Sequence, residues 1–244
     1  MTTLRTHTAA PATSRNKLLW IAGMGWTFDA MDVGLLAFLL AALQADWGLS
    51  AAQLGWIGSL NAAGMAVGAF VFGLMADRKG RKPVFILTLL LFSLGSGLTA
   101  VAGSLAVVLV LRFFIGMGLG GELPVASTLV SESVAPHERG RVVVLLESFW
   151  AVGWLIVALI AYYVIPDYGW RTAMLLSALP ALYALWLRAK LPEPGSRYTA
   201  QERPKLTIAQ SMALIWSPQY RRATLMLWIL WFCVVFSYYG IFLW

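Results

Sequence analysis

Gly73-Leu-Met-Ala-Asp77-Arg78-Lys79-Gly80-Arg81-Lys82 is a dense, mixed-charge turn between two long apolar runs. One run ends at Ala76 and the next begins at Pro83. Four cations, one carboxylate and two glycines thus stand where one apolar helix leaves a bilayer and another re-enters it. A turn of this kind fixes the side of the membrane it occupies.

The flanking runs are part of a pattern that extends along the whole chain. Of its 244 residues 60% are hydrophobic and 12% charged, with a mean hydropathy of +0.75, outside the soluble globular range. Apolar windows long enough to cross a hydrocarbon core of about 30 Å fall at residues 18–43, 53–76, 83–102, 105–134, 142–165, 170–188 and 222–244. The sequence predicts an all-α polytopic membrane protein: a six-helix bundle over 18–189 and a seventh membrane helix over 222–244. Residues 1–17 read as a cytoplasmic tail and 190–221 as a cytoplasmic linker. Within that linker Leu206, Ile208, Met212, Leu214, Ile215 and Trp216 recur at helical spacing, as in a short amphipathic surface helix.

The net charge of +7 is explained by position. Arg5, Arg15 and Lys17 precede the first span, the quoted turn joins the second and third, and Arg139 and Arg141 join the fourth and fifth. The linker carries most of the remaining cations, while the opposite loops hold only Arg171. This asymmetry places the N-terminus in the cytoplasm and makes anionic lipid, not nucleic acid, the charged partner. Cys233 is the only cysteine, so no intrachain disulfide is possible. No metal-ligand cluster or Ser/His/Asp set stands out, so no metal, cofactor or enzymatic activity is expected.

Ionisable residues at membrane depth are costly and are functional candidates by default. Asp29 and Asp32 lie three apart and project from nearly the same helix face. At about 1.5 Å per residue, Asp32 lies about 20 Å from the cytoplasmic end of its span and Arg112 about 10 Å from the outer face. The two depths coincide, so a pair between Asp32 and Arg112 is geometrically accessible. A carboxylate beside a guanidinium stays charged, and when such a pair opens, desolvation favours taking up a proton. The pair therefore suits proton coupling or substrate contact, or a static bridge between the first and fourth helices. Glu122 and Glu147, in the fourth and fifth spans, form a second candidate set that could bind a cation, share a proton or contact a polar substrate. Trp150 and Trp154, with Phe236 and Tyr239 in the last span, offer stacking surfaces for a flat ring, against a default of lipid contact or packing.

The run Gly116-Met-Gly118-Leu-Gly120-Gly121 formally contains a dinucleotide-binding fingerprint, but no strand precedes it and it lies inside an apolar helix. Small residues at this spacing instead let membrane helices approach closely, as do Gly64 and Gly68.

These motifs together resemble the major facilitator superfamily. The quoted turn is similar to its loop 2–3 motif, and Arg112 followed by Gly116, Gly118 and Gly120 to its fourth-helix motif. Glu132 with Pro136-His-Glu-Arg139-Gly140-Arg141, and Leu191-Pro-Glu193-Pro-Gly-Ser-Arg197, resemble the loop motifs of its sugar-porter branch. Phe28-Asp29-Ala-Met-Asp32-Val-Gly34, Gly120-Gly-Glu122-Leu-Pro124 and Phe236-Ser-Tyr-Tyr-Gly-Ile-Phe look more like the niacin-permease-like group.

The resemblance implies a twelve-helix secondary transporter whose two bundles rock about a central site. This chain would supply the N-terminal half and the first helix of the second. Gly73, Asp77, Arg78, Gly80 and Arg81, with Glu132, Arg139 and Arg141, would form a cytoplasmic gate. Asp32 and Arg112 would be the coupling pair, and Glu147 falls where sugar porters place a polar substrate contact. The implied partners are a small-molecule substrate, a proton, the bilayer of a bacterial plasma membrane and the other half of the transporter. Proton-coupled uptake of a small organic acid, for instance an aromatic one such as nicotinate, is the expected function. A sugar or polyol porter, a non-transporting receptor or scaffold, and an inactive half are the alternatives.

Overall fold

The computed structural model describes residues 15–132, 134–190 and 208–242, all helix or short turn. Residues 1–14, the motif at 191–197 and Leu206 lie outside the described residues, as do the side chains of Glu132 and Tyr239. The first unit carries α1 (Arg15–Trp47), α2 (Ala51–Lys79), α3 (Arg81–Thr99) and α4 (Leu105–Glu132). A 3-10 turn (Pro136–Glu138) leads into α5 (Arg139–Tyr163), α6 (Ile165–Leu176) and α7 (Leu179–Lys190). The second unit carries α8 (Ile208–Ile215) and α9 (Arg221–Phe242).

Local chemistry sets the helix ends. Ser50 and Gln53 close a reciprocal capping box at the start of α2. α2 ends at Gly80, whose φ of 95° and ψ of 159° form a conformation open essentially to glycine alone. That single residue reverses the chain into α3, and a 3.0 Å ion pair between Asp77 and Arg81 spans it. The quoted turn is therefore one glycine flanked by helix ends. Arg171 caps α3 from a distance, donating to the carbonyls of Ala100 (2.8 Å) and Ala102 (3.0 Å).

Glycine contacts set the packing of α4. Gly64 and Gly68 of α2 lie against the carbonyls of Phe113 and Met117, and Gly116 and Gly120 of α4 against those of Asn61 and Met65. The pairing order rises along both chains, so α2 and α4 run parallel in backbone contact. A methyl group at any of these four positions would meet backbone that cannot swing away. Gly118, turned to the opposite face, admits α3: a Cβ there would lie 2.8 Å from the carbonyl of Thr88 and the amide of Phe92. α1 runs parallel to α5, with Gly23 under the ring of Phe149 and Gly153 against the carbonyl of Thr27. The glycine run of α4 is thus a packing surface, with helix on both sides of it.

The sixth predicted span, residues 170–188, is not one helix. α6 gives way to α7 through a turn at Ser177 and Ala178. Pro180 explains the break, because it lacks an N–H and its ring crowds the carbonyl of residue 176. Upstream, Gly169 takes φ 77° and ψ 165°, which separates Trp170 from the preceding turn. Trp170 is itself buried, edge-on to Trp47 at 5.9 Å and donating to Asp46 at 3.2 Å. Among the described residues α1 to α5 and α9 are each long and apolar enough to cross a membrane. α8 coincides with the expected amphipathic segment.

Candidate functional site

Four ionisable side chains are buried in the bundle among the described residues: Asp29, Asp32, Arg112 and Glu122. Asp29 and Asp32 come from α1, Arg112 and Glu122 from α4. Carbonyl-to-glycine packing fixes α4 against α2 and α3, and this leaves its charged residues facing α1.

Asp32 and Arg112 meet as the helix depths suggested. Nη1 of Arg112 lies 3.6 Å from Oδ2 of Asp32, and both side chains are at most 1% exposed. That separation is an ionic contact but too long for a hydrogen bond. The Ser96 hydroxyl of α3 donates to the other oxygen of Asp32. Nη2 of Arg112 points to the sulfur of Met174 at 3.4 Å, while its Nε and Nη1 have no hydrogen-bond partner among the described residues. A buried guanidinium with two unmatched donors holds a carboxylate at arm's length, an arrangement suited to exchanging one anionic partner for another.

Glu122 and Glu147 take different neighbours on α1. Glu122 faces α1 where its carboxyl and that of Asp29 lie within hydrogen-bonding reach of each other. Gly25, one turn before Asp29, makes room for it: a Cβ there would stand 2.7 Å from Oε1 of Glu122. Glu147, on an exposed part of α5, approaches the indole N–H of Trp26 without closing a well-formed hydrogen bond. Trp26 is buried and sits edge-on to Trp150, with ring centroids 6.1 Å apart. Trp154 lies against Gly34 of α1. Phe236 belongs to α9, stacked on Phe232 at 5.9 Å.

Of the gate residues, Asp77 and Arg81 pair within their own turn, and Arg78 is exposed in the last turn of α2. Gly73 lies inside α2; Arg139 and Arg141 open α5 with exposed side chains.

Ser96, Met174, Trp26 and Tyr183 were not singled out in the sequence. Ser96 carried a signal, since Ser93, Ser96 and Thr99 place hydroxyls along one face of an otherwise apolar helix and all three are buried. Met174, Trp26 and Tyr183 are ordinary residues for a membrane helix, and only the packing gives them their neighbours.

Residues 22–244 match the sequence profile of the Major Facilitator Superfamily. The chain is 62% identical over 231 residues to the NiaP protein of Bacillus subtilis, covering 95% of this chain and 58% of that one. It is 46% identical over 254 residues to the niacin transporter NiaP of Acinetobacter baylyi, covering 93% and 58%. It therefore spans a little over half the length of these relatives. Its fold is similar to that of the inward-open xylose transporter XylE from E. coli, with a TM-score of 0.65 over 86% of this chain and 54% of that one. At 18% identity that likeness is one of fold alone. The chain belongs to the Major Facilitator Superfamily and is an integral membrane protein.

Proposed function

We propose that this chain forms the N-terminal bundle of a proton-coupled importer of a small aromatic acid such as nicotinate. It would act with a C-terminal bundle of the same transporter, in a bacterial plasma membrane with its N-terminus in the cytoplasm. The observation that carries the reading is the buried guanidinium of Arg112, 3.6 Å from Asp32 and with two donors unmatched. When Asp32 takes a proton, Arg112 loses its anionic partner and can accept the carboxylate of a substrate. When the substrate leaves, Arg112 draws Asp32 back to its charged form and the proton is released. Exclusive use of Arg112 by one anion at a time couples the two events, and alternating access presents the site to each side in turn. Trp150, half-buried and nearly one turn after Glu147 on α5, offers an aromatic surface with a polar neighbour, suited to a heteroaromatic ring. The names of the two relatives, which refer to niacin transport or to NiaP, agree with this substrate class. The cationic turn at Gly80 would serve the cytoplasmic gate, with Asp77 and Arg81 exchanging partners during the cycle.

The test is uptake of labelled nicotinate by proteoliposomes holding the full-length transporter that contains this chain. Accumulation that follows an inward proton gradient, collapses with a protonophore and resists competition by unlabelled sugars is the expected result. Uptake that sugars abolish, or that ignores the gradient, contradicts the proposal.

A further inference from the structure

The contact between Asp32 and Arg112 uses two of the four buried ionisable groups and leaves Asp29 and Glu122 unaccounted for. Their surroundings are specific. Asp29 is 2% exposed and Glu122 is 0% exposed. Their carboxyls approach within hydrogen-bonding reach. Among the described residues, both oxygens of Glu122, and Oδ1 of Asp29, have no donor to accept from. A carboxylate oxygen can only accept, so two ionised carboxylates in contact have no bond to make and repel each other.

The groups around the pair do not supply the missing charge. On α1 the charged neighbour is Asp32, itself an acid and already facing Arg112. From α7, Tyr183 faces Glu122, but its hydroxyl is committed to the carbonyl of Ile21 at 2.9 Å. From α3 the ring of Phe85 closes over the site beside Gly25, and Glu147 of α5 faces Trp26 instead. Three acids and one base are buried together, so full ionisation would leave an uncompensated excess of negative charge away from water, which proteins do not tolerate.

We propose that Asp29 and Glu122 form a second proton site, separate from the contact between Asp32 and Arg112, in which one proton is held between the two carboxyls and bonds α1 to α4. One carboxyl donates, the other accepts, and the pair carries a single negative charge. The buried set then holds two negative charges against one positive. Gly25 is the positioning element: its missing side chain lets the Glu122 carboxyl lie against α1. Losing the proton leaves two charges face to face and loosens this contact between α1 and α4, while Asp32 and Arg112 still join the two helices, so the site ties one of their contacts to proton occupancy. This deepens the proton-coupled reading, and rests on it only in giving the site a part in transport. The proton itself is measurable without transport.

The experiment is infrared spectroscopy of the full chain in lipid nanodiscs at neutral pH, reading the stretch of a protonated carboxyl, alongside thermal unfolding over a pH series. The wild type is expected to show a protonated-carboxyl band. Asp29→Asn and Glu122→Gln each remove it, and Asp32→Asn leaves it in place. Thermal stability of the wild type falls as pH rises and the shared proton is lost. Asp29→Asn, whose amide is a permanent donor to Glu122, folds and loses that pH dependence. No band in the wild type, or a band that persists in both Asp29→Asn and Glu122→Gln, overturns the proposal. A band lost only with Asp32→Asn moves the proton to the other pair and overturns it equally. Stabilisation by sodium chloride over choline chloride, without a band, makes the site one for a metal cation and also overturns it. If uptake proves gradient-independent while the band behaves as expected, the transport reading fails and the second proton site stands.

Discussion

Replacing Asp32 by Asn removes the countercharge in contact with the buried guanidinium of Arg112 while keeping an oxygen for the Ser96 hydroxyl to donate to. Two unit charges at the observed 3.6 Å attract by about 5 kcal/mol at an effective dielectric of about 20. Breaking a buried pair from one side costs about 3–5 kcal/mol, because the survivor stays charged. At 3.6 Å the pair lacks a direct hydrogen bond, which puts the expected cost at the lower end, near about 3 kcal/mol. The reverse change, Arg112→Leu, should cost less, since a stranded carboxyl can take up a proton whereas a guanidinium cannot shed one. Combining Asp32→Asn with Arg112→Leu removes both charges and should recover part of the larger single loss. The assay is unfolding of the chain in mixed micelles at graded denaturing detergent, followed by tryptophan fluorescence for wild type, both single variants and the double variant. The expected coupling is about 3 kcal/mol, the upper part of the usual range for groups in contact. Single effects that sum to the double within about 0.5 kcal/mol would show that the two groups do not act as a pair and would refute the reasoning.

Other outcomes follow from the same packing. Gly64→Val should destabilise by about 3 kcal/mol, the upper end for overpacking, because its neighbour is the backbone carbonyl of Phe113; an unchanged melting temperature in nanodiscs would contradict the close approach of α2 to α4. Ser96→Ala should cost about 1.5–3 kcal/mol through loss of a hydrogen bond to a charged acceptor, measured by the same detergent titration. Asp77→Asn breaks an exposed pair worth at most about 1 kcal/mol, so stability should hardly change. In the full-length transporter the same variant should slow uptake more than it weakens substrate affinity, and an unchanged rate would reduce the turn to a topology signal.

The parts of this fold that were readable in the sequence are those set by local rules. A bilayer demands runs of a certain length, and residues 53–76 and 83–102 announce α2 and α3 with the glycine turn between them. Glycines at spacing four, with an apolar helix and not a strand pattern before the nucleotide-like fingerprint, point to helix contact, and Gly64 meets Phe113 for that reason. Depth counting brought Asp32 to Arg112 because straight helices of known rise constrain height. Depth does not constrain rotation. Glu122 and Glu147 are alike in height and type, and rotation gives them different neighbours: α4 turns one toward Asp29 and α5 turns the other toward Trp26. That rotation is decided by which faces of α4 the glycines give to α2 and α3, a relation among three helices that no single segment displays. The broken sixth span had a local signal in Pro180, which the apolar run around it concealed.

On the proposed mechanism Asp32, paired with Arg112, carries the transported proton. The most direct test of this is proton movement itself, recorded with an internal pH dye in proteoliposomes of the full-length transporter when nicotinate is added outside. The wild type should acidify the lumen in step with nicotinate entry, and Asp32→Asn should abolish that acidification. Acidification that persists undiminished in Asp32→Asn would contradict the account.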